Sequence, residues 1–515
     1  MRKQISKVIV LGGGTSGWLS AALLASSFKK NARNIEVHLI ESENIATIGV
    51  GEGTFPTILN TLHDIGLSEK EFLSACDAAF KQGAEFRNWL YDPAEKAHAY
   101  YHPFDPPATP KGINLASQWL KRNKDDLNKS FSHGVTLQAH LCDKNLAPKQ
   151  GDTSEYEWLA KYAYHLDASK LGELVKEHSI NKLDVKHTYA DIEQASLDDE
   201  GYIDHLIAKN GETFPADFFV DCTGFRGLLI SQTLGVPFVD KSKYLSVDSA
   251  VTLQVPYESS RQKIATHTIS TAQEAGWIWD IGLQTRRGCG YVYSSKHTSK
   301  ERAEEVFKQY LGIEDQELEL RHIHFTSGYR EKSWHKNCVA NGFASGFVEP
   351  LEATAIAMVE AGARSLAARF PETREAMEVR QKQYNEIFVN RWDNIIDFIK
   401  LHYCLTKRTD TEFWREQTMP ENIPGSLLEK LEAWKHYAVS EGDFPNKYDI
   451  FGLASWQYIL YGLEFYPKFV ECADIPEDFI DKALASIQIM ATNAHRSLLS
   501  NRDTINSYKQ TVKFV

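Results

Sequence analysis

The sequence predicts an α/β fold: a strand–helix–strand unit at the start of the chain, a β-sheet interleaved with it, and a helical C-terminal region. Three observations predict it. The first 41 residues run through a β-branched strand, a glycine turn, a helical stretch, a second strand and a terminal acid. Short strands at hairpin spacing fill roughly residues 185–330, and helical periodicity dominates from about residue 352 onward. The expected division places the α/β part with its interleaved sheet in residues 1–360 and the helical region in 361–515.

Lys7-Val8-Ile9-Val10-Leu11 has the continuous apolar character of a parallel strand buried on both faces. Gly12-Gly13-Gly14-Thr15-Ser16-Gly17 follows at once and satisfies G-x-G-x-x-G. In that pattern Gly12 permits the tight turn, Gly14 lets a pyrophosphate approach the backbone, and Gly17 lets helix pack on strand. Thr15 and Ser16 lie in this turn, ahead of the helical stretch that begins at Trp18 and whose N-terminal amides favour an anion. The second strand, Ile35 to Ile40, ends at Glu41, placed to accept hydrogen bonds from a ribose hydroxyl. The bland alternative, a glycine turn without a ligand, does not account for strand, helix and acid together.

Residues 56–90 look mostly helical, and residues 102–113 form a proline-rich loop. The run from Thr213 to Val220 enters Asp221-Cys222-Thr223-Gly224, a corner of the kind that supplies a second nucleotide contact in flavoproteins. Asn341-Gly342-Phe343-Ala344-Ser345-Gly346 adds a third glycine-spaced segment. One glycine fingerprint with two later contact segments suits a single long cofactor, so FAD fits better than NAD.

Composition narrows the function classes. The chain has 515 residues with 57 basic and 69 acidic side chains, a net charge of −12, which excludes a generally basic nucleic-acid wrapper. No run of about 20 apolar residues suggests a membrane span, and the N-terminus does not read as a signal peptide. Seven scattered cysteines without a C-x-x-C pair fit buried thiols in a reducing compartment, so a cytoplasmic protein without a metal site is expected.

Five separated blocks in order resemble the flavin-dependent tryptophan halogenases. Ile48-Gly49-Val50-Gly51-Glu52-Gly53-Thr54-Phe55-Pro56 is similar to the family's VGVGEATIP segment, and Ala79-Phe80-Lys81-Gln82-Gly83 to the segment with its catalytic lysine. Tyr101-His102-Pro103-Phe104 follows, then Gly276-Trp277-Ile278-Trp279-Asp280-Ile281 as the W-x-W-x-I signature. Gly346-Phe347-Val348-Glu349-Pro350-Leu351-Glu352-Ala353-Thr354 resembles the EPLEST segment. Departures are Gly282 where the signature ends in Pro, and Ala353 and Ala355 where the family has Ser and Gly. The Tyr-Tyr pair and downstream Glu that clamp free tryptophan are not cleanly matched between 440 and 470.

The resemblance implies an FAD-binding Rossmann-type fold of the para-hydroxybenzoate hydroxylase kind. It also implies halogenation with FADH2, O2 and chloride or bromide, the reduced flavin coming from a separate NAD(P)H flavin reductase. By resemblance Lys81 either holds and polarises hypohalous acid by hydrogen bonding or, as the neutral amine, forms a haloamine, and Glu352 is the general base. Thr354 and Ala355 offer amides to the halide, and Gly49, Asp221 and Gly346 join the cofactor site. His102 and Phe104 sandwich an indole-type ring, with Trp456 as a third wall. With the amino-acid clamp unmatched, an indole-type substrate is expected rather than free tryptophan. As bare sequence features, Lys81 reads as a solvated surface lysine and Glu352 as a helix N-terminal acid. The competing readings are an aromatic monooxygenase on the same fold and a non-catalytic FAD-binding protein. Nucleic acid and membrane are not expected partners, and a homodimer is the alternative to a monomer.

Overall fold

The computed structural model describes residues 4–44, 51–126, 129–316, 318–446 and 448–511. The chain divides into two compact units, each assembled from three stretches: Met1–Asp77, Leu166–Lys241 and Thr326–Asp393 form one; Ala78–His165, Ser242–Phe325 and Asn394–Val515 form the other. The boundary expected at residue 360 falls inside the helix Thr354–Ala368. Sequence-local signals cannot reveal such threading, because each unit closes through pairings between distant segments.

The first unit is built on a six-stranded sheet in the order Trp334–His335, Cys338–Ala340, Phe218–Asp221, Lys7–Leu11, Glu36–Glu41, Lys186–Tyr189. All pairs but the edge hairpin are parallel, and the central strands are buried apolar runs. Helix Thr15–Lys30 returns along the sheet and packs against Ala168–Lys182 and Thr354–Ala368. A three-stranded antiparallel sheet, Ile192–Leu197, Ile203–Ala208 and Thr213–Pro215, contributes Ile192, Ile203, Leu206 and Phe214 to a core with Ile9, Leu11 and Phe219.

The second unit is organised by a seven-stranded mixed sheet: Arg321–His324, Ser249–Pro256, Arg286–Tyr293, Gly276–Gly282, Thr268–Gln273, Gly83–Arg87, Ala99–Pro103. Helix Lys300–Leu311 buries Ala303, Val306 and Phe307 against Val251, Ile278 and Tyr291. Residues 56–90 depart from the helical expectation. Helices Thr57–Ile65 and Glu69–Ala75 are followed by strands Ala79–Lys81 and Gly83–Arg87. The first of these exists only through its antiparallel pairing of Ala79 with His165 and Lys81 with Ala163, a long-range choice that overrides local propensity. Likewise His102 lies on the strand Ala99–Pro103 rather than in a proline-rich loop, which begins only after it.

Candidate functional site

Three loops of the first unit leave the parallel sheet at one end. Leu11 pairs with Asp221, and Asp221 with Ala340, so Gly12, Cys222 and Asn341 all follow the carboxyl ends of adjacent strands. Glu41 closes the neighbouring strand at the same level. That end, where the chain switches sides, is where open α/β sheets bind ligands.

The glycine turn passes a steric test for a phosphate cradle. Gly12 has φ +114°, and a Cβ there would fall 2.4 Å from the carbonyl oxygen of Cys222. A Cβ on Gly17 would fall 1.8 Å from the Gly12 oxygen, whereas one on Gly14 would meet nothing within 4 Å. The turn is therefore closed where it packs on the protein and open at Gly14, where a pyrophosphate would approach. Gly14 caps helix Thr15–Lys30 without a side-chain bond, leaving that end to an anion. Thr15 donates its hydroxyl to the Ala168 carbonyl at 3.0 Å, and Ser16 packs on Gly342 of the third loop. Lys176 and His187 donate to one oxygen of Glu41, at 2.9 and 2.8 Å. Gly49 lies outside the described residues.

Asp221 works within the protein. It is fully buried; one oxygen accepts the amide and hydroxyl of Thr223, the other the amides of Leu229 and Ile230 at 2.8 Å. Four donors use the acceptor capacity of a carboxylate. Its side chain thus shapes the loop after the strand, and that loop is what a ligand would meet. Gly346 pairs with Tyr329 so closely that a Cβ would fall 2.7 Å from the tyrosine side chain.

The segment after Gly346 ends in a strained turn. Glu352 and Ala353, both non-glycine, have φ of +66° and +54°. Left-handed backbone costs such residues roughly 1–2 kcal/mol each, and strain of this kind points to function. The turn leaves the Glu352 side chain 9% exposed and starts helix Thr354–Ala368 with no side-chain cap. Thr354 and Ala355 supply the first helical amides. Ala355 is absent from the positive-φ residues, so a glycine is not required there. Further along this helix Glu360 is buried and accepts the hydroxyls of Thr57 and Thr61. Burial pushes its carboxyl up to about 7.

In the second unit, Lys81 is 3% exposed, with Nζ 5.3 Å from the ring centroid of Phe104. This is not a solvated surface lysine. The backbone fixes the neighbourhood: Phe104 N–H donates to the Gln82 carbonyl at 3.1 Å, and a Cβ on Gly83 would strike the His102 carbonyl at 2.4 Å. Burial, together with the Lys81 charge, holds the nearby His165 well below the usual imidazole range.

Ala84, Phe86, Tyr100 and His102 share one face of the mixed sheet, paired Ala84 with His102 and Phe86 with Tyr100. Phe86 and Tyr100 stack at 5.0 Å. His102 is buried, with the rings of Phe398, Tyr458 and Phe451 at 5.8, 6.2 and 6.4 Å. Phe398 and Phe451 stack at 3.9 Å. Trp456 is fully buried behind them, edge-on to Phe398 at 5.1 Å and packed on Trp434 and Phe444. Sequence reasoning missed Phe398, Phe451 and Tyr458; they come from different segments and share no motif. Trp277 and Trp279 share a face, 6.3 Å apart.

The carboxylates between residues 440 and 470 are Glu441, Asp443, Asp449 and, last in the chain, Glu464. Lys407 donates to it at 2.7 Å, Lys96 lies 3.5 Å away, and the Tyr91 hydroxyl also donates. Burial works against ionisation here, but these partners hold the carboxyl below its usual range.

Comparison with known proteins assigns this architecture. The family model described as tryptophan halogenase matches residues 7–475. The chain is 36% identical over 475 residues to the tryptophan 6-halogenase SttH of Streptomyces toxytricini, covering 88% of each protein. Among solved structures it is similar to a tryptophan halogenase from Shewanella frigidimarina NCIMB 400, with TM-score 0.94 and 39% identity over 99% of this chain and 98% of that one. BrvH, a flavin-dependent halogenase from Brevundimonas sp. BAL3, aligns with TM-score 0.87 and 31% identity over 98% and 99% of the two chains. The fold is the FAD-binding Rossmann-type α/β fold of flavin-dependent halogenases. Matched along nearly its whole length, this enzyme belongs to the tryptophan halogenase family.

Proposed function

We propose that the enzyme halogenates an electron-rich, indole-type ring without a free amino-acid end. The observation that carries this reading is the buried amine of Lys81, tied by backbone hydrogen bonding to Phe104 and the His102 strand. The net reaction is arene + halide + O2 + FADH2 + H+ giving haloarene + FAD + two water molecules. Bound flavin and O2 together supply the oxidising equivalent that turns halide into hypohalous acid.

The chain's own residues do the rest. Gly12, Gly14, Thr15, Ser16 and Gly17 would seat the pyrophosphate and Glu41 would hold the ribose, while Asp221 and Gly346 shape the neighbouring loops. The amides of Thr354 and Ala355 hold the halide without a full positive charge. Lys81 donates a hydrogen bond to hypohalous acid, polarising its O–X bond and fixing its position. Glu352 accepts the proton that leaves the halogenated ring carbon. His102 and Phe104 hold the ring by its faces, and Trp456 backs the aromatic wall.

The capture of Glu464 by two lysines and a tyrosine supports an indole over free tryptophan, because that carboxylate is already neutralised. The single glycine fingerprint supports a separate NAD(P)H flavin reductase as electron source. Among the described residues no helix is long and apolar enough to cross a membrane, and we read the enzyme as cytoplasmic.

The test combines the protein with a flavin reductase, NADH, FAD, O2 and bromide, offering indole and tryptophan separately. Products are read by the bromine isotope pattern. Brominated indole at a higher kcat/KM than brominated tryptophan is expected. The reverse order overturns the substrate reading, and a halide-independent hydroxylated product favours the monooxygenase alternative.

A further inference from the structure

We propose that His133, His140 and Asp143 bind a single divalent d-block cation of the zinc class. No motif of the sequence groups these residues, and the proposal does not rest on the halogenation reading. Helix Phe131–Val135 ends at Thr136, whose extended backbone turns the chain and whose hydroxyl caps the next helix, Leu137–Lys144. The break brings His133 from the first helix beside His140 and Asp143, which at i and i+3 share a face of the second. One ring nitrogen of each histidine and a carboxylate oxygen lie within 4.8 Å of one another. Tetrahedral zinc, with bonds of about 2.0–2.2 Å, sets its ligand atoms about 3.4 Å apart, so small side-chain rotations close the set.

Each donor is already oriented by a neighbour. Ser130 Oγ lies 2.8 Å from His133 Nδ1, which turns Nε2 toward Asp143 Oδ2 at 3.0 Å. Without a metal that 3.0 Å gap holds an N–H···O hydrogen bond, which a bound ion would replace. His140 Nε2 lies 2.9 Å from the His133 carbonyl oxygen, and Tyr101 donates its hydroxyl to Asp143 Oδ1 at 3.0 Å. Such outer contacts are what ligating imidazoles and carboxylates require. Two imidazoles with one carboxylate suit zinc, cobalt, nickel or copper; the set is too poor in oxygen for calcium or magnesium.

Access is provided. The histidines are half-buried and Asp143 is exposed. Tyr101 and Asp143 also line a polar cavity of about 310 Å³ in the same unit, with Glu85, Arg87, His267 and Arg287 on its wall. The ion can enter without unfolding, and water can complete its coordination from that side.

The experiment is titration of the EDTA-treated full-length protein with zinc chloride by calorimetry, followed by Cu2+ loading and electron paramagnetic resonance. Expected are one saturable zinc site and a copper signal coupled to two imidazole nitrogens. His140→Ala and Asp143→Asn should each weaken zinc by at least about tenfold, and Tyr101→Phe by about tenfold through loss of orientation. His322→Ala, which alters a histidine paired with Glu304 elsewhere, should change nothing. A wild type with no zinc site tighter than about 100 µM overturns the proposal. So does copper without two imidazole ligands, or a zinc affinity indifferent to His140→Ala and Asp143→Asn. The wild-type measurements decide the question even if a variant fails to fold.

Discussion

The carboxyl end of the parallel sheet and the aromatic face of the mixed sheet are built from opposite materials. At the first, the groups we propose for recognition are backbone: glycines that allow close approach, and two helix starts without side-chain caps. At the second they are rings and one amine, delivered by strands Gly83–Arg87 and Ala99–Pro103 and by helices far along the chain. Backbone amides hold anions and change little when neighbouring side chains change. Rings set the shape that decides which substrate fits. Substitutions on the two sides should therefore fail differently, one in the ligand held and the other in the chemistry or substrate chosen.

The largest effect is expected at Lys81. Lys81→Met keeps the apolar stem beside Phe104 but removes the amine, so halogenated product should fall below detection while flavin affinity stays unchanged. Flavin fluorescence quenching and product mass spectrometry separate the two readings. Residual activity above about one percent would remove Lys81 from the chemistry. Next is Glu352→Gln, which should lower kcat by about 10²–10⁴, the scale of a lost general base, with halide and flavin affinity retained. A loss confined to KM would instead give Glu352 a binding role.

The contrast between the two regions also explains what could be read from the chain. The glycine turn, the Asp221 corner and the glycine-spaced stretch 341–346 stand out in the sequence because close backbone approach favours glycine at fixed spacing, whereas the stretch 346–354 is reached only by resemblance. Lys81 and His102 can be singled out only through resemblance, and local patterning puts them in a helix and a loop where the fold has strands. A three-residue strand such as Ala79–Lys81 has no measurable period, and its existence depends on residues 163–165. Phe398, Phe451 and Tyr458 were not legible at all. An aromatic wall needs only rings brought together by the fold, and rings are everywhere in a chain with 26 Phe and 22 Tyr. Asp221 shows a finer limit: its position in the corner was readable, but not that its carboxylate serves four donors of its own loop.

The glycine turn offers a paired test of the backbone-built region. Gly17→Ala places a methyl 1.8 Å from the Gly12 oxygen and should destabilise the fold by about 1–3 kcal/mol, read as a lower thermal midpoint without flavin. Gly14→Ala has open space around its Cβ and should leave that midpoint nearly unchanged, yet weaken FAD about tenfold or more by obstructing the pyrophosphate. Equal FAD affinity in Gly14→Ala and wild type would show that the phosphates lie elsewhere.

A last test asks whether the backbone-built region depends on a buried side chain. Glu360 sits on the helix that begins at Thr354, accepting the hydroxyls of Thr57, at 2.9 Å, and Thr61 from helix Thr57–Ile65. Arg364, one turn on, pairs with Asp64 and donates to Thr61 at 3.1 Å. Burial raises the Glu360 carboxyl to about 7 against the lowering pull of the hydroxyls and Arg364. A carboxyl whose folded pKa exceeds its unfolded value of 4.5 binds more protons in the folded state between those two values. Its contribution is complete below about pH 4.5 and declines as pH rises toward 7, by roughly 3–4 kcal/mol in all. Glu360→Gln keeps the shape and both hydroxyl partners but cannot ionise. Its thermal midpoint should match wild type near pH 5 and exceed it near pH 8. An unchanged pH slope in the variant would mean that the wild-type carboxyl is already ionised at pH 5, with the hydroxyls and Arg364 outweighing its burial.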